Sequence, residues 1–276
     1  MSNVLEKFQM QGQVAIVTGG AGLLGKQFAR TLAQAGAAVV VADLNRMTAN
    51  TIAETLVIDG YNALGVGVDV TDPASVEEMV ETAVNVYGRL DVLVNSAALD
   101  PKFDPDAMAR GIPSGSFEDY PLDQWRQALD VNLTGMFLCC QSAVKPMILQ
   151  GKKGSIINIC STYGLVGPDQ RLYQRNGIQT AYKPVYYSVT KAGVMGMTRY
   201  LAAYYAGTEI RCNALTPGGV FNNHDEGFVT SYSARAVMGR MAHNDEMNGA
   251  LLFLASDASS YMTGSNLVVD GGWTAW

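Results

Sequence analysis

Seven short runs rich in β-branched residues alternate along the chain with longer stretches of helical pattern, and this alternation constrains the fold more than any other feature. The strand candidates lie at 14–19, 37–43, 63–70, 90–95, 155–161, 209–215 and 266–270, with helical patterns at roughly 23–36, 45–59, 73–87, 122–150, 188–206 and 244–256. Strands that are apolar almost throughout must be buried on both faces, and a parallel sheet covered by helices on either side provides that burial. The expectation is an α/β fold: a doubly wound parallel sheet of about seven strands. No internal repeat, low-complexity tract or Pro/Gly/Ser-rich linker divides the chain, so one domain spans 1–276.

Composition narrows the partners. With 19 Lys and Arg against 25 Asp and Glu the net charge is −6, so the chain lacks the basic footprint that nucleic-acid phosphates or an anionic membrane require. A small-molecule partner is expected instead. Apolar residues make up 48%, enough for a substantial core, yet no apolar run approaches the ~20 residues of a membrane-spanning helix. The start, MSNVLEKFQMQGQ, has neither a charged nor an apolar leader region, and the four cysteines show no CxxC spacing. A reducing cytoplasm is the expected compartment. His224 and His243 have no ligand spacing with Cys or carboxylates, so no metal is expected.

Directly after the first strand stands Thr18-Gly19-Gly20-Ala21-Gly22-Leu23-Leu24-Gly25, running into a helix. Gly20, Gly22 and Gly25 have GxGxxG spacing. This pattern allows a tight turn, close approach of backbone to a pyrophosphate, and phosphate binding at the positive end of the helix dipole. The context agrees: a strand before, a helix after, and Asp43 ending the next strand 18 residues past Gly25. The sheet therefore reads as a Rossmann-type dinucleotide-binding fold. A carboxylate at Asp43 accepts hydrogen bonds from a free ribose hydroxyl and repels a 2′-phosphate, so NAD is favoured over NADP, although Arg46 lies nearby. Asp69 is placed to meet the adenine amino group, while its neighbour Asp72 is placed to cap the helix after Pro73.

In Tyr187-Ser188-Val189-Thr190-Lys191 a tyrosine and a lysine stand four apart at the start of a helix, on one face. A free tyrosine has a pKa of about 10, so proton transfer near neutrality needs a cation such as Lys191. Tyr186 has Thr190 four residues on and lacks that cation. With Asp69-Val70, Asn95-Ser96-Ala97-Ala98, Asn132 in DVNLTG, Ser161 in NICSTYG, Pro217-Gly218 and the terminal VVDGGW, these motifs cover nearly the whole length. The chain resembles the short-chain dehydrogenases/reductases, single-domain branch. The resemblance implies an oxidoreductase transferring hydride between a secondary alcohol or ketone and nicotinamide. It makes Tyr187 the general acid/base, Lys191 the residue that lowers its pKa and binds the nicotinamide ribose, Ser161 the holder of the substrate oxygen, and Asn132 the anchor of a relay water. It also implies cofactor contacts from Gly19, Gly22, Leu24, Gly25, Asp43, Leu44, Asp69, Val70, Asn95, Ala97, Tyr187, Lys191, Pro217, Gly218 and Val220. Each catalytic position has a structural alternative: Ser161 as a strand-end cap, Asn132 as a backbone partner within a long helix, Tyr187 packed inside while Tyr186 is exposed.

Several positions depart from the pattern. The Gly19, Gly22, Gly25 spacing is that of the extended branch, which makes a nucleotide-sugar epimerase or dehydratase the alternative enzyme; the length, the Asn95 motif, Pro217-Gly218 and the DGG ending favour the single-domain branch. NSAA stands for the usual NNAG, and Asn222 replaces a threonine expected after Gly218. A non-catalytic dinucleotide sensor is a second alternative, against which the presence of both Tyr187 and Lys191 counts.

Two long turn-rich segments, 99–120 and 163–186, follow strands and so belong to the carboxyl edge of the sheet, where open α/β folds bind ligands. The second separates Ser161 from Tyr187 and must fold over the substrate or bulge outward. Its polar and aromatic residues, with Lys102 and Arg110 in the first segment, suggest a polyol, sugar or sugar acid. Arg171 is the candidate substrate contact, and Arg171, Arg175 and Lys183 against Asp169 leave +3 − 1 = +2 within 165–186, room for a small anion. Wording such as CSTYGLVGPDQRLY is also similar to proteins of bacterial surface-sugar pathways, of the legionaminic-acid or flagellin-modification kind. Family resemblance further implies a homodimer or homotetramer built through the helices at 122–150 and 188–206 and the terminal VVDGGWTAW.

Overall fold

Alternate residues of each central strand are buried on opposite faces, which is what a sheet sandwiched between helices demands. The computed structural model describes residues 3–100 and 113–276. The strands are β1 (Val14–Thr18), β2 (Ala38–Asp43), β3 (Ala63–Gly67), β4 (Val92–Asn95), β5 (Lys153–Ile159), the short β6 (Gln174–Arg175) and β7 (Ile178–Gln179), β8 (Glu209–Pro217) and β9 (Asn266–Val269). Seven of them form one parallel sheet in the order β3-β2-β1-β4-β5-β8-β9, as expected from the strand count, while β6 and β7 pair with each other. The helices among the described residues are α1 (Gly25–Gln34), α2 (Arg46–Ile58), α3 (Pro73–Tyr87), α4 (Leu122–Leu129), α5 (Gly135–Leu149), α6 (Val185–Tyr204), α7 (Glu226–Ser233) and α8 (Asn248–Ala255).

Ile16, Val40, Leu93 and Ile156 pack against α3, α5 and α6 on one face. Ala15, Val17, Val39, Val41, Ile157 and Leu215 pack against α1, α2 and α8 on the other. Local chemistry marks where helices begin: the Asn45 side chain accepts from the Thr48 N–H, and Asp72 accepts from Ala74 ahead of Pro73. Asp72 is thus the α3 cap. The strand order reverses between β1 and β4, and the turns after these two strands open the crevice in which such sheets bind ligands.

The pattern at 122–150 forms two helices, not one. A π-helical turn at Asp130–Thr134 separates α4 from α5, with Asn132 buried inside it. Helix α7 forms where no helical pattern was read. The 163–186 segment is not an irregular loop either. It holds a short 3₁₀ turn, Gln170–Tyr173, and the β6–β7 hairpin, whose turn residues Asn176 and Gly177 both have positive φ (53° and 77°). Asn-Gly is the favoured chemistry for such a turn. All four cysteines are free and buried, and burial raises the thiol of Cys140 to about 12. Among the described residues no helix is long and apolar enough to cross a membrane, and no cluster of His, Cys, Asp and Glu has metal-binding geometry.

A buried polar chain crosses the sheet. Asn95 Nδ2 on β4 donates to Asn158 Oδ1 on β5 at 2.9 Å, and Asn158 Nδ2 donates to Thr198 Oγ1 on α6 at 3.0 Å. Thr198 in turn donates to the Val194 carbonyl at 2.8 Å. Asn158 is fully buried, so truncation leaves two polar partners without water to replace it. Asn158→Ala is expected to lower unfolding stability by about 2–4 kcal/mol, measured by urea denaturation; a loss below about 1 kcal/mol would show that the chain of bonds contributes little.

Candidate active site

The glycine turn after β1 is set by close approaches. Gly19 has φ +63°, and a Cβ there would lie 2.8 Å from the Ala97 backbone at the end of β4; a Cβ on Gly25 would lie 2.0 Å from the Gly19 carbonyl oxygen. Both positions therefore exclude a side chain. Gly22 is exposed and less crowded, its N–H bonded to the Gly19 carbonyl at 3.0 Å. Thr18, which the motif reading did not single out, fastens the two sides of the crevice: its Oγ1 accepts from the Ser96 and Ala97 N–H groups at 3.2 and 3.3 Å. Helix α1 then begins after Leu24 without a side-chain cap, its Lys26 N–H bonded to the Gly22 carbonyl at 3.2 Å, and the positive end of its dipole faces the crevice where an anion is favoured.

Asp43 ends β2 with its carboxylate turned toward that turn, accepting from the N–H of Ala21 and of Asn45, both at 3.1 Å. Leu44 beside it is exposed. Asp69 lies at the same edge, and the Thr71 hydroxyl and N–H hold its carboxyl below the ordinary range. Val70 is buried behind it. On the far side Pro217 ends β8, Gly218 packs on the Asp270 backbone, and Val220 bridges to Ala242. Two carboxylates, an uncapped helix start and glycines without room for a Cβ fit a dinucleotide lying across the crevice. Asn95 is 6% exposed and borders the same crevice, with Nδ2 donating to Asn158 Oδ1 at 2.9 Å and contacting Cys140 Sγ while Oδ1 has no partner.

The remaining expected residues converge at the edge of β5. Ser161 follows the strand and accepts from the Tyr163 N–H at 3.2 Å, and its hydroxyl stands close enough to Tyr187 to favour the phenolate, so it serves as turn cap and as Tyr187 neighbour together. Lys191 lies one turn further along α6, 6% exposed, with Nζ donating to the Ile159 carbonyl at 2.9 Å and 5.9 Å from the centre of the Tyr187 ring. Burial pushes the Tyr187 phenol above its usual pKa, the Asp100 carboxylate adds to this, and the nearby Ser161 hydroxyl opposes it. Burial holds the Lys191 ammonium below its usual value. Tyr186 is the buried tyrosine of the pair, packed on Tyr120 at 5.9 Å between ring centres, while Tyr187 is half-buried.

Asn132 sits in the π turn with both ends of its amide occupied. Its Oδ1 accepts from the Leu99 N–H at 2.7 Å, and its Nδ2 donates to the Leu99 carbonyl and to Thr190 Oγ1. It therefore ties the first loop to α6. An enclosed space of about 10 Å³, lined by Thr18, Asn95, Asn132 and Lys191 among others, lies beside it. That is about the room one water needs.

A larger cavity of about 670 Å³ adjoins this cluster, its described lining drawn from both insertions, α4 and the start of α7. The insertions are stitched together: the Tyr182 N–H donates to the Ser114 carbonyl at 2.7 Å, and Ser114 bridges Ala181. Leu172, Tyr163, Tyr232 and Trp273 form a separate apolar cluster beneath, against which Tyr187 packs. The 163–186 segment thus folds over the site. Lys102 and Arg110 lie outside the described residues.

Arg171 does not reach the cavity. Its guanidinium is held by Asp169 at 2.8 and 2.9 Å and is largely exposed. Arg175 and Lys183 line the cavity instead. The local surplus of charge is also offset from outside the segment: Arg175 pairs with Asp225 at 2.5 Å and Lys183 with Asp100 at 2.8 Å, while Asp169 also meets Arg235. Lys183 was only one of many polar loop residues in the sequence, yet its Nζ stands 3.8 Å from the centre of the Tyr187 ring.

Known proteins are similar to the chain in sequence and fold. A family model described as enoyl-(acyl carrier protein) reductase matches residues 20–274. The cis-4-hydroxycyclohexanecarboxylate dehydrogenase of Sinomonas cyclohexanicum is 37% identical over 95% of this chain and 97% of its own. The D-threitol dehydrogenase of Mycolicibacterium smegmatis is 34% identical, over 97% and 95% respectively. A solved gluconate 5-dehydrogenase of Burkholderia cenocepacia, in complex with NADP and tartrate, superposes with a TM-score of 0.86 at 31% identity, covering 99% of this chain and all of that one. With the glycine turn, the Tyr187–Lys191 pair and whole-length relatives that oxidise hydroxy substrates, the chain belongs to the short-chain dehydrogenase/reductase family, as an oxidoreductase acting on a CH–OH group with a nicotinamide dinucleotide.

Proposed function

We propose that the chain is an NAD-dependent dehydrogenase of a secondary alcohol carrying further hydroxyl or carboxylate groups, of the polyol, sugar or sugar-acid kind, with Tyr187 as general acid/base. The observation that carries this reading is the convergence of Ser161, Tyr187 and buried Lys191 at the edge of β5, with Lys183, which lines a cavity large enough for a small substrate, 3.8 Å from the centre of the Tyr187 ring. When bound, the nicotinamide supplies the hydride acceptor. The chain's own groups handle the proton: Ser161 holds the substrate oxygen, and ionised Tyr187 takes the hydroxyl proton as the carbonyl forms. Lys191 spends one N–H on Ile159, and its other two serve a ribose hydroxyl and a water in the small enclosed space that Asn132 borders.

The cavity lining mixes Tyr120, Tyr173 and Phe228 with Gln124, Gln127, Asn222 and His224. Aromatic faces interleaved with uncharged donors suit a hydroxyl-rich molecule. Because Lys183 and Arg175 are each paired with a carboxylate, a strongly charged phosphorylated sugar is disfavoured. Asp43, held at the glycine turn by Ala21, supports NAD. The epimerase and sensor alternatives have less support, since the relatives described above are dehydrogenases and the Ser161, Tyr187 and Lys191 set is complete. Buried free cysteines fit a cytoplasmic protein. Exposed Phe137 and Leu149 on α5, with Tyr200 and Tyr204 on α6, support a homodimer or homotetramer through these helices; Trp273, by contrast, stacks on Tyr232 of its own chain at 4.3 Å.

A panel of polyols, sugars, sugar acids and hydroxycyclohexanecarboxylates, read by absorbance of the reduced cofactor, tests the reading. Tyr187→Phe is expected to lower kcat by about a thousandfold or more while NAD still binds by calorimetry; unchanged kcat refutes the role of Tyr187. On the best alcohol, kcat/KM with NAD is expected to exceed that with NADP by at least about tenfold, and parity would remove Asp43 as the selector. Light scattering at micromolar protein should give two or four chains per particle, and a monomer would count against the helix interface.

A further inference from the structure

Lys183 is held more firmly than a lysine in a surface insertion need be. Its N–H donates to Gln170 Oε1 at 2.8 Å and its carbonyl accepts from Gln170 Nε2 at 3.1 Å, so one side chain clamps its backbone on both sides. Gln179 fixes Gln170 in turn, donating to its carbonyl at 2.8 Å. Pro184 follows and opens α6. The clamped side chain is only 14% exposed, yet its ammonium is not engaged with backbone: it lies over the Tyr187 ring, 3.8 Å from the centre, with Asp100 Oδ1 at 2.8 Å. Lys191, the cation that the YxxxK motif supplies, is farther from that ring at 5.9 Å and is tied to the Ile159 carbonyl.

The groups that face Tyr187 can be taken element by element. From α6 comes Lys191; from the end of β5 and its turn come Cys160, Ser161 and Tyr163; from the base of the hairpin comes Tyr173. The segment between β7 and α6 supplies Lys183 and the first insertion Asp100; His224, on the approach to α7, feels both of these charges. Of these, Lys183 and Asp100 are the charged groups that the YxxxK motif does not account for.

We propose that Lys183 is a positioning residue acting through Tyr187, its ammonium favouring the phenolate and Asp100 opposing it, so that the two insertions together set the pH range in which the tyrosine exchanges its proton. This rests on Tyr187 being the proton carrier of the proposed reaction. The sign follows from charge: a cation over the ring stabilises the ionised form, so its removal moves ionisation to higher pH, and removal of the carboxylate moves it to lower pH. The two fields partly cancel, but the ammonium sits on the ring while the Asp100 carboxylate is 71% exposed and screened.

The experiment compares wild type, Lys183→Met, Lys183→Arg and Asp100→Asn, each saturated with NAD. Tyr187 ionisation is read in each from the tyrosinate ultraviolet band as a difference from the matching protein that also carries Tyr187→Phe. The acid limb of the pH profile for alcohol oxidation is followed in parallel. Lys183→Met should raise both transitions by about one pH unit, or carry them beyond the accessible range, and Asp100→Asn should lower them by a smaller but resolvable amount. Lys183→Arg keeps the charge and should stay near wild type. Should Lys183→Met not fold, the exposed Asp100→Asn decides alone. Transitions coincident with wild type in both Lys183→Met and Asp100→Asn overturn the proposal. If Tyr187→Phe keeps its turnover, the proton-carrier reading fails instead, and the ultraviolet titration still reports whether the charges act on the ring.

Discussion

The site depends on one short run of buried hydrogen bonds that holds two strands and one helix in fixed register. Asn158 receives Asn95 from β4 and reaches Thr198 on α6, while Lys191, two turns earlier on the same helix, donates to Ile159, the next residue along β5. A helix packed only through Val194 and Met195 would be free to slide, because apolar contact is non-directional. Hydrogen bonds inside a dry interface are directional and expensive to leave unmade. They therefore fix not merely that α6 covers the sheet but where along β5 it stops, and that stop places Tyr187 beside Ser161.

The same logic extends outward through Asn132. A regular helix across 122–150 would have carried the backbone through without a break; the π turn at Asp130–Thr134 inserts the extra residue that lets the Asn132 amide leave the helix and meet Leu99 and Thr190. One side chain then joins the first insertion to the helix carrying Tyr187 and Lys191. The insertion between Ser161 and Tyr187 is joined to the first at Ser114 and Tyr182. Each connection is polar and short, so the segments lining the cavity are positioned by hydrogen bonds.

The framework was legible in the sequence because its signals are periodic or local. Seven apolar runs, the glycine turn with Asp43, and the Tyr187–Lys191 spacing each act through neighbours in the chain, and all seven strands stand where they were read. The β6–β7 hairpin was not read, although Asn176-Gly177 carries the turn chemistry, because its two-residue strands fall below what an alternating pattern can reveal. Other features had no local signal. The π turn reflects tertiary bonds of Asn132, and Asn95 was drawn into the sheet by a partner 63 residues away. Arg171 was selected for its charge alone, while its orientation was decided by Asp169, two residues away, which holds the guanidinium in a fork and also meets Arg235. Counting charges within the segment overlooked Asp100 and Asp225, which reach it from elsewhere.

The long interval between Ser161 and Tyr187 adds residues to the cavity lining without displacing Ser161, Tyr187 or Lys191. Closure of a longer connection costs little extra entropy when its ends are already fixed. Here they are fixed independently: Ser161 by the edge of β5, and Tyr187 by the Asn158–Thr198 and Lys191–Ile159 contacts of its helix. The segment adds its own apolar cluster through Leu172 and Tyr163, so it does not draw on the main core for stability. The residues lining the cavity and the Ser161–Tyr187–Lys191 cluster consequently rest on different parts of the chain. They meet at Lys183, where the lining of the cavity touches the face of the tyrosine ring.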